Sequence, residues 1–548
     1  MALVVTLPLT VANPGLDVKV GNFVRQPGTG NQGITGVGFQ PKVLILFSTN
    51  GTSEGFSPHA DLSWGWATSP TERYSIGLSA PDANATGGGK SRFVNDKVLT
   101  IIQGLNPEIS AEADLVSFDA DGFTLNWVTN EGTQNTIHYV ALGGTDLANA
   151  KAGDFASNMT AGPQSVTGVG FQPDIVLFMA NRKDTFPGTE GKPILDLGAA
   201  VSSTERWAVA QSLGGKVTKV DEAGGFQRTN QSLIVMKKPT QIEGAYDYIS
   251  SDPDGFTVDV LNPPTKALKI SYLALAGANL NVGLGSFNQP TATGPQSISV
   301  GFRPVGVLLT SWNRPTNSAG QADGKLSIGA ASDIGAGSIW GGGLDDPPTD
   351  SKADSDTNTT KSIRLADPGV TPALAADAEL QSFDAGGFTL DWTTVDATAR
   401  EVLYWAFGGV SASACDAITV TTSDPAGQLW FNETVEPDGL PLTTQLNVSA
   451  SFQTGPTPAL SVTNDGSTTC DITIRLTSDP GTGRSLKFNT TNNAPWPEDA
   501  SKEVPLDPSS VTACSSVAPG GTCDIWLWAD YENALGGQTL ADVRVETI

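Results

Sequence analysis

The sequence predicts an all-β protein: three tandem antiparallel β-sandwich repeats followed by a C-terminal immunoglobulin-like β-sandwich. Three observations carry this. The 548 residues include 61 Gly and 35 Pro, and short apolar runs stop at Gly, Pro, Asn or Asp with no amphipathic helical stretch between them. One set of phrases returns three times in nearly constant register, which is the signature of tandem units. At roughly 100–200 residues per domain, a chain of this length needs several cores.

The elements follow in order. Residues 1–16 read as an N-terminal arm; the start is apolar, but the first Lys is Lys19, so it lacks the basic region of a secretory leader. Repeats are expected at 17–147, 148–279 and 280–410. Each opens on Gly-x-Phe, with Phe23, Phe155 and Phe287 spaced 132 apart, and continues into Val-Gly-Phe-x-Pro at Phe39, Phe171 and Phe302, spaced 132 and 131. A Gly-Phe-Thr phrase follows at Phe123, Phe256 and Phe388, and each repeat closes on an aromatic-x-Ala-x-(Gly/Ala)-Gly phrase at Tyr139, Tyr272 and Tyr404. In the first repeat, strands are expected at 43–47, 62–68, 73–80, 98–103, 113–118, 123–129 and 137–142. The clusters at Asp119-Ala-Asp121-Gly122 and Asp252-Pro-Asp254-Gly255 read as hairpin turns, because Asp and Gly tolerate the backbone angles such turns demand.

From 411 to 548 the phrases vanish and Cys-Asp pairs precede strands at Cys415, Cys470 and Cys523. The four cysteines, Cys415, Cys470, Cys514 and Cys523, lack the paired spacing of a zinc site, and disulfides are expected. Among the three pairings, Cys514 with Cys523 across a Pro-Gly-Gly turn is preferred, which leaves Cys415 with Cys470. Two bridges imply work outside a reducing cytosol.

Composition narrows the function. The net charge of −26 disfavours nucleic acid and anionic membranes, both of which need a basic face, and no run is long enough to insert into a bilayer. Only His59 and His138 could serve a Ser/His/Asp mechanism. His138 matches Ser271 and Leu403 in the other repeats, so a packing role is expected; His59 reads as a surface-loop residue. The run Gly87-Gly-Gly-Lys90-Ser91 lacks the first Gly of a phosphate loop and reads as a flexible loop. The acidic stretch Asp345 to Asp356 lacks the order of a calcium loop and reads as a solvated insertion. No catalytic residue, metal or cofactor is expected.

The order of phrases, including Glu72-Arg73-Tyr74 and Glu205-Arg206-Trp207, resembles the H-type lectin domain. That resemblance implies a six-stranded sandwich that forms trimers and binds N-acetylgalactosamine-like sugars. It nominates Arg73 and Arg206 as carbohydrate contacts; the third repeat has Gly335-Ala-Gly337 in their place. Over most of 17–410, the Val-Gly-Phe-x-Pro-Lys-Val, Ala-Thr-Ser-Pro-Thr-Glu-Arg and Ser-Phe-Asp-Ala-Asp-Gly-Phe-Thr-Leu-Asn-Trp phrases resemble repeat modules of tailed-bacteriophage and prophage structural proteins. This implies a non-enzymatic virion component, capsid decoration or tail fibre, assembled in the host cytoplasm and exposed outside. Its partners would be other virion proteins and host-surface glycans. The alternative is a carbohydrate-binding array, secreted or at a fibre tip. Three copies of a fold whose relatives trimerise further imply pseudo-trimeric packing about a pseudo-threefold axis, or a homo-oligomer.

Overall fold

A computed structural model describes residues 2–6, 15–83, 88–103, 108–213, 223–314, 320–333, 335–345 and 351–409, then 418–422, 428–432, 446–447, 460–464, 470–476, 485–489, 511–518, 520–530 and 539–547. Every regular element among them is a β-strand. The chain divides into two compact units: a body, Gly15–Gly409, and an end unit composed of Met1–Pro14 and Val410–Ile548.

The body holds three four-stranded sheets, each facing a larger one. In the first segment the smaller sheet orders Gly30–Thr35, Gly122–Asn130, Glu108–Asp119 and Leu99–Gln103. Its partner orders Asp17–Val24, Thr136–Gly143, Val43–Thr49, Ala60–Ser69, Glu72–Ala80 and Lys90–Val94. All seven strands expected in this segment are present, most of them longer at one or both ends than the sequence suggested.

Within Val43–Thr49 the residues from Val43 to Phe47 are apolar without alternation, because both faces of the strand are buried. Leu44 and Leu46 point into the sandwich with Leu125 and Trp127. Val43, Ile45 and Phe47 join a second core on the other side of the sheet. That second core is common to all three segments: Trp64 and Trp66 share it with Trp207, Trp312 and Trp405.

The large sheets also exchange strands. Gly188–Glu190, from the second segment, pairs with Lys90–Val94 of the first. Gln321–Ala322, from the third, pairs with Ala223–Arg228 of the second. Gly55–Pro58, from the first, pairs with Ala353–Asn358 of the third. Each large sheet thus reaches seven strands with one taken from another segment, and the order of donation is cyclic.

This exchange corrects two expectations. The stretch ending at Asp356 is not all solvated insertion: Ala353–Asn358 is a buried strand, sandwiched between Gly335–Gly343 and the visiting Gly55–Pro58. Its acidic residues mark a buried ion pair, since Arg364 grips both oxygens of Asp356 at 2.8 and 2.7 Å. In the glycine run, residues 84–87 lie outside the described residues, and Lys90 and Ser91 belong to the strand that receives Gly188–Glu190.

The described strands of the end unit form two five-stranded sheets, in one of which Ser485–Asn489 branches from the linear order by pairing with Thr522–Asp530. The arm carries a strand of that unit. Ala2–Thr6 pairs antiparallel with Gln428–Asn432 and parallel with Thr539–Thr547. Cys514 and Cys523 form a disulfide, with Cα atoms 6.0 Å apart. Cys415 and the side chain of Cys470 lie outside the described residues. A bridge closing a loop of 9 residues constrains the unfolded chain. The double change Cys514→Ser/Cys523→Ser is therefore expected to lower the end unit's stability by ~2–3 kcal/mol, read as a shift in its urea midpoint.

Candidate functional site: the junctions between segments

Backbone pairing sets the correspondence among segments. Ala67, Ala200 and Ala331 face Arg73, Arg206 and Ala336 respectively. Thr68, Val201 and Ser332 are therefore equivalent, as are Glu72, Glu205 and Gly335, and Tyr74, Trp207 and Gly337.

These positions build the junctions. The amide of Val20 donates to Ser332 Oγ of the third segment at 3.1 Å. The equivalent amide of Ala152 donates to Thr68 Oγ1 of the first at 3.0 Å. In the second segment that hydroxyl is replaced by Val201, and the carboxylate of Glu205 takes over, accepting from the amide of Leu284 at 2.8 Å. One requirement, a partner for a buried backbone N–H, is met by two chemistries.

The next position differs in all three. Tyr74 donates to Asp154 Oδ1 at 3.0 Å, and Trp207 donates through Nε1 to the Tyr404 carbonyl at 3.1 Å. At the third junction the residue is Gly337, and the space is filled from the other side by His138. A Cβ on Gly337 would lie 2.3 Å from His138 Nδ1.

His138 is fully buried, stacked on Phe47 with ring centroids 5.2 Å apart, and its Nε2 shares a hydrogen bond of 2.8 Å with Thr357 Oγ1. Burial pushes its pKa down to about 4, against a small opposing pull from Glu54. It is a packing residue, and what it packs is the third segment against the first. His59 does not sit free on a surface loop. It is half-buried, its Nδ1 accepts from the amide of Asp82 at 2.8 Å, and its carbonyl accepts from Ser355 Oγ at 2.9 Å. Burial lowers its pKa, and Asp82 opposes the shift. Both histidines therefore lie at the same junction, where the acidic groups are also shifted. Burial raises Asp354 and Asp356 to about 6; Asp82 adds to the rise at Asp354, and Arg364 opposes it at Asp356.

Arg73 and Arg206 are largely covered and bridge the two sheets of their own segments. Arg73 reaches Asp114 at 3.2 Å, the Asp96 carbonyl at 2.5 Å and the Pro70 carbonyl. Arg206 pairs with both oxygens of Asp247, one at 2.9 Å, and with the Asn230 carbonyl at 3.2 Å. In the third segment Ala336 takes this place, and Glu379, the counterpart of Asp114, pairs instead with Lys361 at 2.7 Å. The structure does not bring Arg73 and Arg206 together, since each serves a different sandwich.

A buried carboxyl escaped the sequence reading. Asp196 is completely buried, and its Oδ2 accepts from the amide of Met236 at 3.1 Å. Burial raises its pKa well above the ordinary range. For an acid raised in the folded state, stability falls as pH climbs above the unfolded pKa near 4. Asp196→Asn, which keeps an acceptor for Met236, is expected to stabilise the body by about 1–2 kcal/mol at pH 8 and to leave it unchanged near pH 4. Urea titrations at the two pH values check both halves. Among the described residues there is no group of three or more His, Cys, Asp or Glu placed to hold a metal ion.

No protein-family model matches the chain, and no curated protein matches it. Among solved structures, the fructofuranosidase from Schwanniomyces occidentalis complexed with fructose aligns over 71% of this chain and 97% of its own, at 8% identity and a TM-score of 0.11. A likeness at that level carries no argument about fold or activity.

Proposed function

We propose that this chain is a non-enzymatic structural protein of a tailed-phage virion, decorating the particle or forming part of its tail or fibre. What supports the reading is the use to which the reactive side chains are put. Both histidines close a junction, both candidate arginines tie one sheet to another, and buried Asp356, beside that junction, is held by Arg364 of its own segment. A protein that invests its titratable groups in holding its sheets and segments together suits a particle component, and the three-fold phrase repeat is the style of such components. In this reading the three segments pack about a pseudo-threefold axis, a trimer made from one chain. The protein is made in the host cytoplasm, is exposed on the particle outside, and has other virion proteins as its partners.

The test is mass spectrometry of purified particles from the source culture. A fixed copy number per particle is the expected result. Absence from every particle, with free protein in the medium, overturns the proposal and favours a secreted sugar-binding array, which a glycan array with native and Arg73→Ala protein would then examine.

A further inference from the structure

The three segments form three junctions, but only two of them are crossed by the chain within the body. The connection from the first segment to the second passes Asp146, and that from the second to the third passes Gly277. These two touch: a Cβ on Gly277 would lie 1.6 Å from the Asp146 carbonyl oxygen. The third junction meets at the same place without a peptide link inside the body. Gly15 and Gly409, the first and last residues of the body, are in contact, a Cβ on Gly409 lying 3.5 Å from the Gly15 Cα. The carbonyl of Gly15 also accepts from the amide of Asp146 at 2.8 Å. The cut in the cycle therefore falls where a third connection would run.

What joins the two cut ends is the end unit. Its strand Ala2–Thr6 precedes Gly15 in the chain, while every other strand among the described residues of the unit follows Gly409. Ala2–Thr6 is held between Gln428–Asn432 and Thr539–Thr547, both of which follow the body in sequence. We propose that the end unit is a latch: by pairing Ala2–Thr6 with strands from the other end of the chain, it ties Gly15 to Gly409 and holds the junction of the third and first segments shut. The latch closes only once Thr539–Thr547 exists, so the cycle is sealed after the body itself has been made. The inference rests on connectivity and pairing and is independent of the virion reading.

Tying two ends together raises the effective concentration of the surfaces they carry, and cutting the tie lowers it without removing a contact. The experiment uses the full chain with a protease site inserted between Thr6 and Gly15, folded first and cleaved afterwards, so that failure to fold is not a confounding outcome. Hydrogen exchange is followed at the latched junction, in Gly55–Pro58 and Ala353–Asn358, and at another junction, in Arg206–Leu213. Cleavage is expected to speed exchange at the latched junction at least tenfold and to leave Arg206–Leu213 unchanged. No change at the latched junction, or an equal rise at both, overturns the proposal.

Discussion

Gly198→Ala is expected to destabilise the body by about 3 kcal/mol, a large cost for one methyl group. Gly198 lies in Ile194–Ala200, a strand of the second segment's large sheet that is buried throughout. A Cβ there would lie 1.8 Å from the backbone oxygen of Ser232. A side chain can turn aside from such an intrusion, but the backbone of Ser232, which leads directly into Leu233–Lys238 and whose amide donates to the Tyr246 carbonyl, cannot move without disturbing the smaller sheet. The same meeting occurs at Gly65, 2.1 Å from the Val98 carbonyl oxygen, and at Gly329, 1.9 Å from that of Ser362. Gly191→Ala is the control, because it is exposed and nothing lies within 4 Å of its added methyl. It should change stability by less than about 0.5 kcal/mol. Urea denaturation of the two variants beside the native chain checks this, and equal effects would contradict close contact of the sheets.

Acidification is expected to weaken the body through His138. Its folded pKa of about 4 lies below the ordinary 6.5. The unfolded chain therefore binds the proton first, and stability that is complete above pH 6.5 is lost as pH falls towards 4. At about 1.4 kcal/mol per pKa unit, the full loss is ~3 kcal/mol. His138→Leu, which copies Leu403 at the equivalent place in the third segment, removes this contribution. Asp354 and Asp356, raised to about 6, act in the opposite direction, stabilising the body as pH falls, but they are common to both proteins. Between pH 7 and 4.5 the native chain should lose about 2 kcal/mol or more relative to the variant. Parallel pH profiles would mean that His138 is not buried at the junction.

Much of the fold is legible in the sequence because the same physical demand was met three times. Val43–Thr49, Ile175–Ala180 and Gly306–Ser311 are buried on both faces, and the central residues of each are accordingly a continuous apolar stretch. The glycines at 65, 198 and 329 carry an equally strong signal, since they return in register where only hydrogen fits, and sequence reasoning passed over them. The exchanged strands were harder to see. Gly55–Pro58, Gly188–Glu190 and Gln321–Ala322 share no phrase and are two to four residues long, because each matches a different neighbour rather than a common core. The strand Ala2–Thr6 was hidden by distance, its partners lying more than 400 residues away.

The junction residues show how local reading can be right about a residue and still miss its purpose. The interchange of His138, Ser271 and Leu403 marks a packing position, but not what it packs against. Ser271 accepts from Trp66 Nε1 at 3.2 Å, and His138 meets Thr357, so in both cases the partner belongs to another segment. Equivalent residues differ because their partners differ, which a single repeat read alone cannot reveal. The acids of Ala353–Asn358 misled for a related reason. A run of charge usually means solvent, and here Asp356 is neutralised by Arg364 inside a sheet.

The central claim, that the segments complete one another's sheets in a cycle, is tested most directly by a disulfide placed across the exchanged strand. Ser57 and Ser355 face each other where Gly55–Pro58 pairs with Ala353–Asn358. In the double variant Ser57→Cys/Ser355→Cys, mild oxidation followed by peptide mapping should find the new bond within single chains that remain monomeric. Failure of the two cysteines to join, or a bond found only between chains, would contradict the cycle.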